Sequence, residues 1–266
     1  MSSVQVRDMT KDDEYFVGCC SHEHESAEID AACQRRLGWM IPLMDEGFRA
    51  KVALVDGRHV GFIYVMPIEF SPWGPLGSDA LVIPCLFVLP GRTGQGAGNA
   101  LLDAAWHETE LQNRKALIVV GYDHDFWFMP SSYFERRGFT QVARRGRLVA
   151  FWRIRDESAE PPTLLEPAHE YTPVPGKVVV DLYWNEFCLT SSVEAERVRE
   201  VVEEFGDAVV LNEYPADDRR GLLEHQNPRG LFVNGDELWW GYEAPKEGVR
   251  EAIRKALDPG ASRGGT

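Results

Sequence analysis

The 266 residues are 44% apolar, enough to bury a substantial core, and a prior of about 100–200 residues per domain points to two folding units. A net charge of −14 argues against a nucleic-acid partner, and no run approaches the ~18–20 apolar residues that span a bilayer, so no membrane partner is expected either. The five cysteines, Cys19, Cys20, Cys33, Cys85 and Cys188, contain no C-x-x-C pair, and the start MSSVQVRDMTKDDE lacks a secretory pattern; together they predict a reducing, cytoplasmic setting.

The charge is unevenly spread. Residues 1–155 carry 17 Lys/Arg against 19 Asp/Glu, whereas residues 156–266 carry 11 against 23. A near-neutral front part followed by an acidic rear part supports two separate units and leaves the front free to accept a polyanion.

Val4 to Arg7 reads as a strand, and Thr10 is a good N-cap for a helix reaching Cys20, with Asp12, Asp13 and Glu14 in its first turn where the helix dipole favours them. A second helix is predicted from Ala27 to Asp45. Lys51 to Val55 and Val60 to Val65 are strand-like about the turn Asp56-Gly57-Arg58-His59. The polar, Pro/Gly-rich piece from Pro67 to Ser78 is a loop or flap, and Ala80 to Val88 is a nearly continuous apolar strand, buried on both faces.

Asn99 to Gln112 places Leu101, Leu102, Ala105 and Leu111 at helical spacing, and Ala116 to Val120 is again a buried strand. Ser131 to Arg137 is a short helix stopped by Gly138, and Gln141 to Arg144 with Leu148 to Arg153 forms an antiparallel pair. Asp156 to Gly176 holds five prolines, five acidic residues and no basic residue, which predicts a linker without helix or central strand.

Beyond it come a strand from Lys177 to Tyr183, a helix from Ser191 to Phe205, a strand from Ala208 to Leu211 and a short helix. A hairpin follows, Gly230 to Val233 and Glu237 to Tyr242 about Asn234-Gly235, and a closing helix runs from Lys246 to Leu257. The tail Asp258 to Thr266 is expected to be disordered. The reading is α+β/α/β: a mixed, mostly antiparallel sheet flanked by helices, plus a smaller α/β unit.

The chemistry concentrates in residues 85–102, CLFVLPGRTGQGAGNALL, where a strand meets a helix through Gly91, Gly94, Gly96 and Gly98. Glycine permits positive φ and close approach of backbone N–H groups to an anion, and the helix start adds its positive dipole end. A P-loop needs Lys-Ser/Thr after the last glycine, where this chain has Asn99-Ala100; a dinucleotide fold needs this turn at its first strand. Both fail, which leaves a diphosphate cradle late in a mixed fold.

For a base, Glu69 and Asp79 flank the flap and Asp123, His124 and Asp125 follow the next strand. The arginines 136, 137, 144, 145 and 147 make a basic face, and His22-Glu23-His24-Glu25 places its histidines two apart, which is poor for a shared metal, so no metal is expected.

Leu86-Phe87-Val88-Leu89-Pro90 with Gly94-Gln95-Gly96-Ala97-Gly98-Asn99-Ala100-Leu101-Leu102 resembles the acyl-CoA signature of the GNAT N-acetyltransferase superfamily. Ser132-Tyr133-Phe134-Glu135-Arg136-Arg137-Gly138-Phe139 resembles its second motif. The resemblance implies a GNAT acyl-CoA N-acyltransferase domain over residues 1–155, with acetyl-CoA as co-substrate and a small-molecule primary amine as acceptor, attacked directly in a ternary complex. It implies that Phe87 and Val88 pair with the pantetheine arm and that the amides of Gly94, Gln95, Gly96, Ala97, Gly98 and Asn99 bind the diphosphate.

This chain departs from the pattern at Thr93, where the family usually has Arg or Gln, with Arg92 one place earlier. It departs again at Phe134, where the family often has the tyrosine that protonates the leaving thiolate. Tyr133, Tyr122 and Ser132 are the remaining hydroxyl candidates.

Residues 177–257 resemble the thioredoxin fold, with Tyr183 to Ser191 in place of its active loop, Pro228 where that fold has a cis-proline and the single Cys188 near a helix start. A GNAT domain, a linker over 156–176 and such a unit resemble the YoaP-like acetyltransferases. The alternative is a non-catalytic acyl-CoA-binding module with a thioredoxin-like protein-interaction domain.

Overall fold

Two sheets organise the chain. The computed structural model describes residues 3–124, 128–217, 219–239 and 245–258, and the chain divides into two units, Met1–Glu25 with Leu37–Leu165 and Ser26–Arg36 with Glu166–Thr266. No helix among the described residues is long and apolar enough to cross a membrane.

The first unit contains β1 (Gln5–Asp8), α1 (Glu14–Gly18), β2 (Arg49–Val55), β3 (Arg58–Pro67), β4 (Ala80–Val88), α3 (Ala97–Leu111), β5 (Ala116–Tyr122), α4 (Ser131–Glu135), β6 (Thr140–Arg145) and β7 (Leu148–Ile154). α2 (Ala27–Met40) begins in the second unit and ends in the first. Pro42, which cannot continue a helix, stops α2 earlier than the expected Asp45 and opens a short 3-10 turn over Pro42–Met44.

The seven strands lie in the order β1-β2-β3-β4-β5-β7-β6, and every pair is antiparallel except β4 with β5. α3 crosses one face of the sheet, where Leu101, Leu102 and Ala105 pack with Ile63, Val65, Leu81, Ile83, Phe134 and Phe151. Residues of β3 at alternate positions point the other way. Phe62 meets Phe16 of α1 edge-on at 5.9 Å, and the Tyr64 hydroxyl donates to the Val17 carbonyl at 2.7 Å.

At the start of α1 lies a buried carboxylate. Asp13, 1% exposed, accepts hydrogen bonds from the Thr10 amide and hydroxyl, both at 2.7 Å, and from the Arg7 guanidinium, and pairs with His59 Nε2 at 2.7 Å. Burial pushes its pKa up, but the hydrogen bonds from Arg7, His59 and Thr10 outweigh burial and hold it well below the ordinary carboxylate range.

The second unit contains β8 (Val178–Trp184), α5 (Leu189–Phe205), β9 (Val209–Pro215), α6 (Arg219–His225), β10 (Gly230–Val233), β11 (Asp236–Leu238) and α7 (Lys246–Leu257). Its sheet order is β11-β10-β8-β9 with β8 and β9 parallel. Val178, Val180 and Leu182 face Ala195, Val198 and Val201 of α5 and Val249 and Ile253 of α7. Ser26–Arg36 belongs here because its side chains find partners on α5: Arg197 binds the Glu28 carboxylate at 2.7 and 2.8 Å, and Arg35 donates to the Ser192 hydroxyl at 3.1 Å. The 240–242 end of the expected hairpin and residues 259–266 of the tail lie outside the described residues.

The proline-rich segment has no helix or strand, yet it is not a free tether. Thr163 exchanges backbone hydrogen bonds with Leu76 at 2.8 and 2.9 Å, and Leu164 and Leu165 are buried in the first unit. From Glu166 onward it binds the second: the Ala168 amide donates to the His225 carbonyl at 3.2 Å, and His169 Nε2 lies 2.9 Å from the buried Asp181 carboxylate. Prolines lack a donor, but the residues between them supply the pairing.

Candidate functional site

The site is built where β4 leaves the sheet. β4 pairs with β5 only from Ala80↔Ala116 to Ile83↔Val119; after that β5 continues to Tyr122 against β7, and Cys85–Val88 pair only with β3. Two sequence-encoded causes act at the same place. Pro84 has no amide hydrogen, so it cannot donate to the ladder. In addition, the register against β3 steps from Tyr64↔Cys85 to Met66↔Val82, three residues of β4 against two of β3, which is a bulge that bends the strand.

The parted half of β4, Pro84–Val88, is half-buried, unlike the buried Ala80–Ile83. Phe87 rests on Phe62 at 5.6 Å. The strand then runs into the glycine turn, which closes with the Arg92 amide donating to the Leu89 carbonyl at 2.9 Å. Gly91, Gly94 and Gly96 have φ of 77°, 77° and 91°, the left-handed region that side chains disfavour, and a Cβ at any of the three would meet nothing within 4 Å.

Residues Gly91–Gly96 are exposed, Arg92, Thr93 and Gln95 included. Gly96 caps α3 without a side-chain hydrogen bond. After Arg92 the next amide to find an acceptor among the described residues is that of Ala100, which donates to the Gly96 carbonyl, so the donors of Gly94–Asn99 are left free at a helix start. Such a nest of N–H groups suits a phosphate-rich anion.

The expected side chains divide between the two ends of β4. Tyr122 ends β5 at the parted end, where its ring lies 5.4 Å from His124 and 5.8 Å from Phe128. Asp123 is held at 2.7 Å by Arg144, whose hydrogen bond lowers its pKa. Asp125 lies outside the described residues.

Glu69 and Asp79 are at the opposite, closed end. The Glu69 carboxylate accepts the Asp79 amide at 2.9 Å and lies 3.7 Å from Arg114, while Asp79 pairs with Lys115 at 3.1 Å. Nine residues of strand separate Asp79 from Val88, roughly 30 Å at ~3.3 Å per residue. The structure therefore does not bring these two carboxylates to the opening: flanking β4 in sequence says nothing about which end of it a residue occupies.

On α4, Phe134 is fully buried and Tyr133 points to the first turn of α3. Burial raises the Tyr133 pKa, although Arg137, stacked 3.5 Å from its ring centre, works against the shift. Arg137 also donates to the Asn99 side chain at 2.5 Å and to the Tyr133 carbonyl at 2.9 Å. This bridge between helices is not encoded in any single motif. Away from the opening, His22 pairs with Glu25 and His24 with the Tyr15 hydroxyl, and among the described residues no three His, Cys, Asp or Glu side chains converge as a metal site.

In the second unit, Cys188 is the N-cap of α5; its amide donates to the buried Asn185 side chain at 2.9 Å, and its sulfur lies 3.3 Å from the Thr190 hydroxyl. The Asn227–Pro228 peptide is trans, since the cis bond among the described residues is Gly74–Pro75. Asp217, beyond β9, accepts the Glu186 amide at 2.7 Å, and burial pushes its carboxyl up to about 6.

Between the ordinary value near ~4 and that raised one, the folded chain keeps a proton that the unfolded chain has lost. Stability of the second unit is accordingly expected to be full below about pH 4 and to fall as pH rises through 6, by about 3 kcal/mol. Urea unfolding of Asp217→Asn across pH 4–8 checks this: the variant should lose the slope, and an unchanged slope would refute the assignment.

Solved structures similar to this chain include several named as acetyltransferases. They include PaiA N-acetyltransferase from Thermoplasma acidophilum in complex with coenzyme A, at 13% identity over 57% of this chain and 99% of that chain, TM-score 0.41. An acetyltransferase of the GNAT family from Staphylococcus aureus Mu50 has the same identity and coverage, with TM-score 0.42. Ribosomal-protein-alanine N-acetyltransferase from Brucella melitensis follows at 18% identity over 56% and 99%, TM-score 0.43. No protein-family model matches the chain, and no curated protein matches it. At such identities and scores the functional reading rests on the site's own geometry.

Proposed function

We propose that the first unit is a GNAT-type acyltransferase domain that transfers an acetyl group from acetyl-CoA to a primary amine of a small molecule. One observation carries the reading: β4 parts from β5 and leads directly into a turn of three left-handed glycines whose amides, with those of Ala97–Asn99, find no acceptor among the described residues. The turn accounts for a diphosphate, and the parted strand edge accounts for an extended pantetheine arm beside Phe87 and Val88. Arg92, Thr93 and Gln95 are exposed beside the same phosphates.

In this reading the amine attacks the thioester carbonyl directly. A C–N bond forms, the C–S bond breaks, and the thiolate leaves as coenzyme A after taking a proton. The amine must be neutral to attack, whereas alkyl ammonium groups have pKa values near ~10, so a base or water chain has to take its proton. Backbone N–H groups on the parted edge of β4 polarise the carbonyl. Tyr122, at the end of β5, is the sequence candidate best placed for proton traffic; Glu69 and Asp79 are engaged with Arg114 and Lys115 at the far end.

The second unit, with its β11-β10-β8-β9 strand order and Cys188 at the start of α5, is read as a thioredoxin-like domain of the YoaP-like kind, although the bond before Pro228 is trans. A second reading, a non-catalytic acyl-CoA-binding module, is favoured by one observation: Phe134 fills the core where the family has a catalytic tyrosine.

Titration calorimetry with CoA and thiol release from acetyl-CoA across a panel of amines separate the two. Binding with turnover is expected, binding without turnover for any amine leaves the module, and no CoA binding at all refutes both.

A further inference from the structure

Gly98 differs from the other three glycines of the turn. It is the second residue of α3 and does not have a positive φ, so the backbone does not require glycine there. What requires it is Tyr133: a Cβ at Gly98 would lie 2.5 Å from the tyrosine hydroxyl oxygen and 3.3 Å from Cζ. That hydroxyl is buried and makes no hydrogen bond of ordinary geometry among the described residues, the Arg137 guanidinium being the polar group nearest to influence it. Beside it, Arg137 stacks on the same ring and holds the Asn99 side chain on the third residue of α3.

We propose that Tyr133 and Arg137 are positioning residues for the cofactor: α4 seats the first turn of α3 by a steric contact at Gly98 and a polar contact at Asn99, and so aims the amides of that turn at the diphosphate. The inference rests on the acetyl-CoA reading above and extends it to residues that do not themselves touch the anion. Both contacts end on Gly98 and Asn99, whose own amides belong to the outward-pointing set. The hydroxyl is enclosed beneath the helix start, where it acts as a spacer.

The test is a double-mutant cycle on the full chain, with CoA as the titrant. Gly98→Ala should weaken CoA binding about tenfold, as expected for overpacking at one contact. Tyr133→Phe removes the atom that clashes, so the double variant should regain most of the lost affinity. Arg137→Gln should raise the KM for acetyl-CoA several-fold, and in it and in Tyr133→Phe the change should fall in KM rather than in kcat, with the alkaline limb of the kcat profile unmoved.

A double variant no better than Gly98→Ala, or a Tyr133→Phe enzyme whose loss is in kcat, would overturn the proposal. The steric pair also reads out without ligand, since Gly98→Ala should lower Tm and Tyr133→Phe should restore it. A wild-type chain that ignores CoA while Tm shows this rescue would sink the cofactor reading and leave the helix contact standing. If Gly98→Ala does not fold, the Arg137→Gln kinetics decide.

Discussion

Gly96→Glu is expected to lower CoA affinity by at least ~100-fold while leaving the fold intact. Gly96 has φ 91° and is the N-cap of α3, so any side chain there sits in a backbone conformation that costs roughly 1–2 kcal/mol. Glutamate adds a carboxylate beside the diphosphate. At ~5 Å and an effective dielectric constant of about 20, that repulsion is about 3 kcal/mol. The sum, about 4–5 kcal/mol, corresponds to about 10³ or a little more in dissociation constant.

Since a Cβ at this position meets nothing within 4 Å, the loss comes from strain and charge rather than from a clash. Gly96→Ala isolates the strain and should cost about tenfold. Calorimetry with circular dichroism as the folding control measures both; a Gly96→Glu protein that binds CoA like the wild type removes the cradle from consideration.

The largest stability effect is expected at Asp13. Asp13→Asn keeps the shape but leaves the Arg7 guanidinium, His59 and the Thr10 donors facing an amide, half of which is itself a donor. Breaking a buried pair costs about 3–5 kcal/mol, and the partial exposure of Arg7, 35%, brings the expectation to about 2–4 kcal/mol. For a unit of this size the corresponding fall in Tm is roughly 5–12 °C.

The pH dependence has a definite sign. The folded carboxyl titrates below its unfolded value of ~3.9, so its stabilisation is complete above that value and is lost as pH falls beneath it. Asp13→Asn should flatten the acid limb of the stability profile of the first unit. Denaturant melts from pH 2.5 to 7 decide, and a variant as stable as the wild type at pH 7 would contradict the account.

Much of the site was legible in the residues because glycine acts locally. Gly91, Gly94 and Gly96 mark backbone that other residues avoid; the apolar run Ala80 to Val88 hid the effect of Pro84, and the expected burial on both faces holds only for Ala80–Ile83. The offset between Phe134 and Tyr133 on a helix follows from 100° per residue, and the structure turns the first into the core and the second towards α3.

What was not legible depends on tertiary direction. Glu69 and Asp79 adjoin β4, but only the parallel pairing of β4 with β5 from their first residues shows that they occupy the closed end. The reason for Gly98 is a hydroxyl 35 positions away along the chain. Ser26–Arg36 joins the second unit through Glu28 and Arg35, whose partners on α5 no local pattern announces.

That last feature bears on how the chain is dissected. Because residues 26–36 are embraced by a body whose remaining sequence starts at 166, the polypeptide visits it twice, and no single scission yields two whole halves. Truncation after Leu165 strands Glu28 and Arg35 without Arg197 and Ser192. Expression of 166–266 alone leaves Arg197 and Ser192 of α5 without those partners. Genetic shuffling of these modules therefore requires an exchange at three junctions, and a fragment failing to fold reports on that interleaving before it reports on the chemistry.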